Sequence, residues 1–508
     1  MHFEDLSYIV DYIHKYSEEK PSKTPNSIGK IFSEHGVSYF YDSGTNKVVM
    51  LDEGTLKFIE CLIAGDNNLS NLERIAMLND VDIEKTISFI NEEDLLKGFC
   101  LTHLYSENYL EHVENQMKNG TSQLILELTG KCNMRCRYCI YHDGYPQNRS
   151  FTSKRMSKET ALNAIDFIKD HGDQQEAFIT FYGGEPLLEF DLLKDVIEYA
   201  KKELGERNLF FSFTTNLSLL TADMAEYFAR VGNLSIMCSI DGPKEIHDAY
   251  RIYANGKGSF DDVYRNFRLL NEKSKEHGNS INISVNAVYM PPFSYEKVES
   301  INQFFSGMDF TQENFSYQMG YAAPGTVPKE LLTESYYGDK SYRQWQDTKL
   351  QENFDLKQVT QSGLLTDLVR IHSRMITKKA NNYIPFNGCC VPGFRRLYVT
   401  TEGQFTPCER IGNCPAIGNI EQGIDKEKIY KYYIYDFSHA WESDCADCWA
   451  AKLCSGCYVE RMNQAGVTHS KSQCVYIRDT LERNLKNYHF LLRNSPEKLS
   501  ILNSIQTR

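Results

Sequence analysis

Three closely spaced cysteines carry chemistry in this sequence. Cys132, Cys136 and Cys139 stand in a C-x3-C-x2-C spacing. Thiolates so close together can hold three irons of a [4Fe–4S] cube and leave the fourth iron without a protein ligand, whereas an electron-transfer ferredoxin closes that position with a fourth Cys. Cys61 and Cys100 lie outside this tight loop. The spacing therefore predicts a cluster with an open coordination position, which is a site for chemistry.

A second motif downstream supports the cluster. Zinc is the alternative metal for the three cysteines, with His142 as a fourth ligand. The stretch Tyr182–Pro186, which reads YGGEP, fits the cluster and not zinc. Together with Tyr138, which precedes Cys139, this stretch resembles the radical SAM superfamily. The resemblance implies that the three cysteines form a catalytic centre whose open iron binds S-adenosylmethionine (SAM).

The glycine motif and polar residues at predicted strand ends are the candidates for holding SAM. Glycines let a backbone approach a ligand closely, and a carboxylate can accept a hydrogen bond from the methionyl ammonium. The resemblance implies these SAM-binding residues: Tyr138, Gly183, Gly184, Glu185, Thr214, Ser239, Asp241 and Arg251. For Asp241-Gly242, a plain turn is the alternative.

Nine of the fifteen cysteines lie between residues 389 and 474, and so many in a chain without a predicted export signal indicate metal ligands rather than disulfides. Their C-x2-C-x5-C-x2-C run from residue 445 to 457 resembles the SPASM extension of radical SAM enzymes, which holds two auxiliary [4Fe–4S] clusters. The usual last spacing is C-x3-C, one residue longer. The resemblance implies an outer cluster on Cys445, Cys448, Cys454 and Cys474, and an inner one on Cys390, Cys408 and Cys457, with Cys389, Cys414 or no residue as its fourth ligand. Two zinc sites are the alternative.

The cofactors that the resemblance implies define a chemistry. A reduced cluster bound to the SAM sulfonium can pass it one electron and release a 5′-deoxyadenosyl radical, which takes hydrogen from an unactivated C–H bond. Auxiliary clusters can accept the electron left on the product radical or bind a substrate thiolate. A reductase or a flavodoxin-type protein is the implied electron donor.

Composition and charge limit the class of protein. The chain has 508 residues, enough for two or three domains. Its net charge of −13 argues against nucleic acid as a partner, because phosphate binding needs a basic face. The N-terminus lacks an apolar signal region, and no uninterrupted apolar stretch reaches the roughly eighteen residues that a spanning helix needs. We therefore expect a cytoplasmic protein without a membrane partner.

Six segments follow from the pattern of elements. They are an N-terminal helix and linker (1–29), a winged-helix-like recognition domain (30–110), a radical SAM core (120–320), a bridging region (321–386), a SPASM domain (387–475) and a C-terminal helix (476–508).

The second segment has a winged-helix-like layout. A strand pair at 37–41 and 47–51 precedes helices at 53–64, 69–78 and 82–93 and a strand at 99–103. Thirteen acidic and five basic residues between positions 31 and 105 argue against DNA binding. The segment resembles the recognition element of systems that modify ribosomally made peptides (RiPPs), which binds a leader peptide as an extra strand at a sheet edge. A structural cap is the alternative.

From residue 123, apolar strands alternate with amphipathic helices. Strands are predicted at 124–128, 178–182, 209–214, 234–240, 283–289 and 315–319, and helices at 157–170, 192–204, 222–231, 260–275 and 295–305. The alternation indicates an α/β barrel or open sheet of parallel strands, with its site at their carboxyl ends. The resemblance implies the specific form, a partial (β/α)6 radical SAM barrel.

The resemblance covers about residues 30 to 490 and implies a function. The stretches 141–149, 156–157 and 405–409 resemble maturases of Cys-rich ribosomal peptides (ranthipeptides), which form thioether links from a Cys sulfur to carbon. We therefore expect a radical SAM/SPASM maturase that cross-links a leader-bearing precursor peptide at Cys. The alternatives are an anaerobic sulfatase maturase, which oxidises Cys or Ser to formylglycine, a non-catalytic iron–sulfur protein for electron transfer, and a winged-helix regulator with a metal sensor.

Overall fold

The N-terminal unit is a three-stranded antiparallel sheet followed by three helices. The strands, hydrogen-bonded in chain order, are β1 (Gly29–Glu34), β2 (Val37–Asp42) and β3 (Val48–Leu51), and the helices are α1 (Glu53–Ile63), α2 (Leu69–Leu78) and α3 (Ile83–Glu93). The Asp82 carboxylate caps α3 by accepting from the Lys85 amide. The three predicted helices are therefore present at the predicted positions.

The computed structural model describes residues 27–63, 69–142, 150–308, 316–322, 326–331, 339–352, 364–386, 390–468 and 471–504. The helix and linker predicted for residues 1–29 lie almost entirely outside the described residues. The same holds for most of the stretch 141–149.

The structure differs from the prediction for the N-terminal unit at two places. Strand β1 was not predicted; it pairs with β2 across a two-residue turn at His35 and Gly36, both with positive φ, and that turn lacks the usual Asn-Gly signal. The strand predicted at 99–103 does not form. Phe99 instead buries its ring near Ile384, and the Cys100 amide donates to the Asn382 side chain (2.6 Å).

Both faces of the N-terminal sheet are covered. One face, with Phe40, packs on α1 to α3. The opposite face, with Phe32, Tyr39 and Tyr41, packs against the C-terminal part of the chain, including Trp449. The unit is therefore joined to the rest of the protein by an apolar interface.

The central sheet contains the six predicted parallel strands in sequence order. They are β4 (Gln123–Thr129), β5 (Glu176–Gly183), β6 (Asn208–Thr215), β7 (Leu234–Ser239), β8 (Ile281–Tyr289) and β9 (Ser316–Tyr321). The helices before and between them are α4 (Glu107–Asn119), α5 (Lys158–His171), α6 (Phe190–Glu203), α7 (Ala222–Val231), α8 (Lys244–Asp248), α9 (Phe260–Glu276) and α10 (Tyr295–Ser306). Alternate strand residues, such as Leu126 and Phe181, pack under these helices as the apolar pattern requires.

Four short strands from the cysteine-rich region extend this sheet. The bridging region forms α11 (Ser341–Gln351) and α12 (Leu364–His372), and the added strands are β10 (Arg396–Val399), β11 (Gln404–Thr406), β12 (Gly418–Asn419) and β13 (Gly423–Ile424). β10 runs parallel to β4, so the described strands of the sheet have the order β13-β12-β11-β10-β4-β5-β6-β7-β8-β9. The predicted core and cysteine-rich segments therefore share one sheet.

The C-terminal part is mostly helical. It contains α13 (Lys426–Lys428), a π-helix (Ile429–Tyr435), α14 (Asp436–Ala446), the hairpin of β14 (Met462–Asn463) and β15 (Gly466–Val467), α15 (Ser472–Asn494) and a 3-10 helix (Pro496–Ser504). The helix predicted for residues 476–508 corresponds to α15. It begins four residues earlier than predicted, so it includes Cys474, and it ends at Asn494. No helix within the described ranges is long and apolar enough to cross a membrane.

Candidate active site and metal centres

The loop with the three clustered cysteines follows β4 at the carboxyl end of the sheet, as predicted. The segment after α8 fixes its backbone. The Arg135 amide donates to the Ile252 carbonyl (2.8 Å), and the Arg137 amide donates to the Tyr250 carbonyl (3.0 Å). The three thiols are therefore carried on a loop that the protein itself holds in place.

The three thiols lie in an apolar pocket lined by Met134 and Met290. Burial raises the pKa of all three thiols, that of Cys136 to about 12. The Cys136 and Cys139 thiols lie close enough to Cys132 to raise its pKa further. Such thiols keep their protons at neutral pH unless a bound metal replaces them. Three neighbouring thiols in an apolar pocket are a donor set that fits a [4Fe–4S] cluster.

No group of three or more His, Cys, Asp and Glu residues within the described part of the chain is arranged to hold one metal ion. A cube-type cluster does not need such convergence, because each thiolate binds a different iron.

Two glycines of the YGGEP motif lie directly against the cysteine loop. The Gly184 amide donates to the Thr129 carbonyl (2.8 Å), and a Cβ at Gly184 would lie 2.0 Å from the Lys131 carbonyl oxygen. Gly183 has φ +135°, and a Cβ there would lie 2.3 Å from the Thr129 oxygen. We expected glycine here for close approach to a ligand; the structure shows close approach to the cysteine loop itself.

The Glu185 carboxylate ties this motif to the end of β6. Oε1 accepts from the Thr215 hydroxyl (2.7 Å) and the Leu187 amide (3.0 Å), and Oε2 accepts from the Asn216 amide (2.8 Å). Burial raises the pKa of this carboxyl, whereas these three hydrogen bonds oppose that rise. A carboxylate accepts about four hydrogen bonds, so three of its acceptor positions already serve the fold.

Asp241 joins three separate elements. The Tyr138 hydroxyl donates to its Oδ2 (2.5 Å), and both Arg251 Nε (3.0 Å) and the Val288 amide (2.9 Å) donate to its Oδ1. Tyr138, Asp241 and Arg251, three of the predicted SAM-binding residues, therefore meet at one point. The plain turn considered for Asp241-Gly242 does not account for these contacts.

His247 accepts a hydrogen bond from the Asp241 backbone, and the sequence analysis did not identify this residue. The Asp241 amide donates to His247 Nδ1 (3.3 Å), so the proton lies on Nε2, which faces the Ser259 hydroxyl (3.0 Å). The ring is fully buried, and burial lowers its pKa to about 4. Its position six residues after Asp241 is the feature of the sequence that could have identified it.

The four residues predicted for the outer cluster lie together. Burial raises the pKa of the Cys445 thiol, and the neighbouring Cys454, Cys448 and Cys474 raise it further. Cys448 and Cys474 each show the same effect of Cys454. The Arg461 guanidinium opposes the rise at Cys445 and Cys474.

Three cysteines considered for the inner cluster also lie together. Burial and then Glu409 raise the pKa of Cys408 to about 12, and Cys457 adds to this rise. Tyr433 lies beside both Cys414 and Cys408. Cys390 is half-buried ahead of β10, and Cys389 lies outside the described residues.

Comparisons with known proteins agree with this geometry. Residues 126–305 match the model of the Radical SAM superfamily. The chain is 28% identical over 385 residues to a cysteine-type anaerobic sulfatase-maturating enzyme of Clostridium novyi (strain NT), covering 73% of this chain and 97% of that protein. It is 26% identical over 228 residues to the radical SAM cyclopropyl synthase TigE of Paramaledivibacter caminithermalis, covering 41% of this chain and 47% of that protein.

One solved structure, described as native anSMEcpe with bound AdoMet and Kp18Cys peptide, shares the fold. The TM-score is 0.55 at 19% identity, over 76% of this chain and all of that one. The predicted fold class, an α/β sheet with the SAM-type core, is therefore confirmed.

Proposed function

We propose that this chain, whose residues 126–305 match the Radical SAM superfamily, binds a [4Fe–4S] cluster and SAM, modifies a ribosomally made precursor peptide and forms thioether cross-links at Cys. When bound, these cofactors supply a 5′-deoxyadenosyl radical that removes hydrogen from an unactivated C–H bond. Cys132, Cys136 and Cys139 hold the cluster. Tyr138, Gly183–Glu185, Thr214, Ser239, Asp241 and Arg251 form the SAM pocket.

The observation that carries the proposal is the edge of the N-terminal sheet. Among the described strands, β3 pairs with β2 alone, which leaves its other edge to accept an added strand. Met50 on β3 is 67% exposed. An extended leader peptide satisfies such an edge with backbone hydrogen bonds, and its side chains enter neighbouring apolar pockets. This edge is the leader site of the proposal.

The N-terminal sheet also contacts the region of the outer cysteines. The Tyr41 ring of β2 lies 5.9 Å from the Trp449 ring. Lys452, between two outer cysteines, donates to the Gly44 carbonyl in the β2–β3 turn (2.7 Å). These contacts support an arrangement in which the N-terminal sheet holds the leader beside the auxiliary cysteines while the core peptide enters the barrel.

The face of the central sheet opposite the helices suits a peptide. Thr180 and Ser212 lie 2.8 Å apart on neighbouring strands, and the Gln123 amide donates to Thr180 (2.8 Å). These side chains are half-buried and polar. They supply hydrogen-bonding groups for the polar backbone of an extended substrate.

Product analysis tests the proposal. The anaerobically reconstituted protein is incubated with SAM, a reductant and a short Cys-rich precursor peptide with its leader. We expect 5′-deoxyadenosine to form from SAM. For each thioether link, the peptide should lose two hydrogens and one free thiol. Cys136→Ala is the control and should give none of these. Formation of 5′-deoxyadenosine without any change in the peptide would contradict the proposed substrate.

Sulfatase maturation is the second candidate. It is favoured by the similarity to the enzyme of Clostridium novyi, which extends over 97% of that protein. A sulfatase-derived peptide with Cys at the modified position separates the two functions. Formylglycine is an aldehyde, and a hydrazide probe detects it. The same probe does not react with a thioether. An aldehyde product from the sulfatase peptide, with the Cys-rich peptide unchanged, would replace the cross-linking proposal.

A further inference from the structure

Arg461 is a fully buried arginine beside the outer cysteines. Its side chain is carried by the turn before β14, where the Arg461 amide donates to the Tyr458 carbonyl (3.0 Å). The guanidinium carbon lies 4.1 Å from the centre of the Trp441 ring. Gly456 also lies against it, because an added Cβ there would lie within 2.8 Å of three guanidinium atoms. The charge is therefore in close contact with both an aromatic ring and the loop that carries Cys454 and Cys457.

The guanidinium faces sulfur rather than carboxylate. Nη2 lies 3.8 Å from Cys474 Sγ, at hydrogen-bond distance for a sulfur acceptor. Nε and Nη1 have no hydrogen-bond partner among the described residues. Within the same residues, no carboxylate forms a salt bridge with Arg461, although Arg is most often buried with one.

A buried charge without a counter-charge is strongly destabilising. Four neighbouring thiolates around iron supply such a counter-charge, because a [4Fe–4S] cluster with four Cys ligands is an anion in both of its common oxidation states. The position of Arg461 is therefore explained if an anionic cluster is its partner. A guanidinium can also donate a hydrogen bond to sulfur. The reduction potential of such a cluster depends on the hydrogen bonds that its sulfur atoms accept and on the charge nearby.

We propose that Arg461 is a positioning residue of the outer auxiliary cluster that compensates its charge and raises its reduction potential. The inference rests on the proposed assignment of Cys445, Cys448, Cys454 and Cys474 to that cluster. Reduction adds one electron to the cluster and breaks no bond. A fixed positive charge stabilises the more negative, reduced state more than the oxidised state.

The test is a reductive titration of the holoenzyme with dithionite as electron donor, followed by EPR at fixed potentials. The signal of the outer cluster is identified as the one that Cys448→Ala removes. In Arg461→Met, we expect at least a tenfold lower ratio of reduced to oxidised outer cluster at a given potential, a shift of about −59 mV for one electron. The midpoints of the other clusters stay unchanged.

Two matched variants separate charge from packing. Arg461→Lys keeps the charge and should retain most of the parent midpoint. Arg478→Met removes another arginine near Cys448 and Cys474 that is only half-buried, so water screens it and the shift should be smaller. Loss of the outer iron in Arg461→Met with retention in Arg461→Lys also supports the proposal.

Three results would overturn it. The first is a fully loaded Arg461→Met protein with the parent midpoint. The second is an equal shift in Arg461→Met and Arg461→Lys, and the third is loss of the outer iron in both variants. If the parent itself binds iron for the core cluster alone, the auxiliary assignment fails first, and iron and sulfide content shows which of the two has failed.

Discussion

At the residue scale, two glycines determine how closely two loops approach. Gly184 has no space for a Cβ, because the Lys131 carbonyl oxygen would lie 2.0 Å from it. Gly184→Ala should therefore push the YGGEP motif off the cysteine loop and destabilise the protein by about 3 kcal/mol, at the upper end of overpacking costs. Iron content and denaturant unfolding measure the effect.

Gly320 offers the matched control. It lies in β9, and an added Cβ there meets nothing within 4 Å. Gly320→Ala should leave both iron content and stability at the parent values. A Gly184→Ala protein with parent iron content would show that the two loops tolerate separation.

A second residue-scale prediction concerns acid stability and His247. Burial lowers its pKa from 6.5 to about 4. Between these values the unfolded state binds more protons than the folded state, so stability falls as the pH falls from 6.5 to 4. The contribution is roughly 3 kcal/mol. His247→Asn should remove this part of the pH dependence of unfolding.

His439 provides the control, because its side chain is 91% exposed. His439→Asn should keep the parent pH profile. Identical acid profiles for the parent and His247→Asn would mean that the ring takes up its proton in the folded state as well.

Residue spacing identified the cysteine loop and the glycine motif, because these residues lie close together in the chain. It did not identify Lys452 or Arg461. Lys452 meets Gly44, which is 408 positions away, and such a contact leaves no local pattern. Spacing also could not show that Glu185 and Asp241 bind other parts of the protein.

At the element scale, Lys452 is the polar link between the β2–β3 turn and the outer cysteine loop. Its ammonium donates to the Gly44 carbonyl and the Asn381 carbonyl, both at 2.7 Å. Lys452→Met leaves these buried acceptors unpaired, so we expect a loss of about 2 kcal/mol. Denaturant unfolding and hydrogen exchange of the β2–β3 turn measure it.

An exposed lysine serves as the comparison. Lys471 pairs with Asp444, yet its side chain is 71% exposed. Lys471→Met should therefore change stability much less than Lys452→Met does. Equal losses in both variants would show that burial of Lys452 contributes nothing.

The alternation of apolar strands and helices predicted β4 to β9 within a few residues, because each strand is long enough to show its pattern. The short strands β10 to β13 were not predicted. Each has two to four residues. They join the sheet through the pairing of β10 with β4, a strand some 270 positions earlier, as in Leu397 with Leu124. Non-local pairing of this kind is not encoded in a local pattern.

At the scale of the whole molecule, iron and folding should be coupled. Two of the outer cysteines, Cys448 and Cys454, pack on the same apolar cluster that holds the N-terminal sheet and α15. Removing iron with a chelator should lower Tm by at least about 5 °C, the equivalent of roughly 5 kcal/mol for a chain of this length. Hydrogen exchange should rise in α14 and in the β2–β3 turn, while β5 to β7 stay protected.

The same chelation of a variant that lacks the four outer cysteines is the control, and it should leave exchange in the β2–β3 turn unaltered. A parent protein whose turn is equally protected with and without iron would separate the metal centre from the N-terminal unit.

Because the N-terminal sheet is covered on both faces, it is not an interchangeable module. A chimera that replaces it with a foreign domain would place unmatched side chains against Trp449 and α15. If the proposed leader site is correct, redirecting the protein to a new peptide is better attempted by altering β3 alone, whose outer edge pairs with no other described strand.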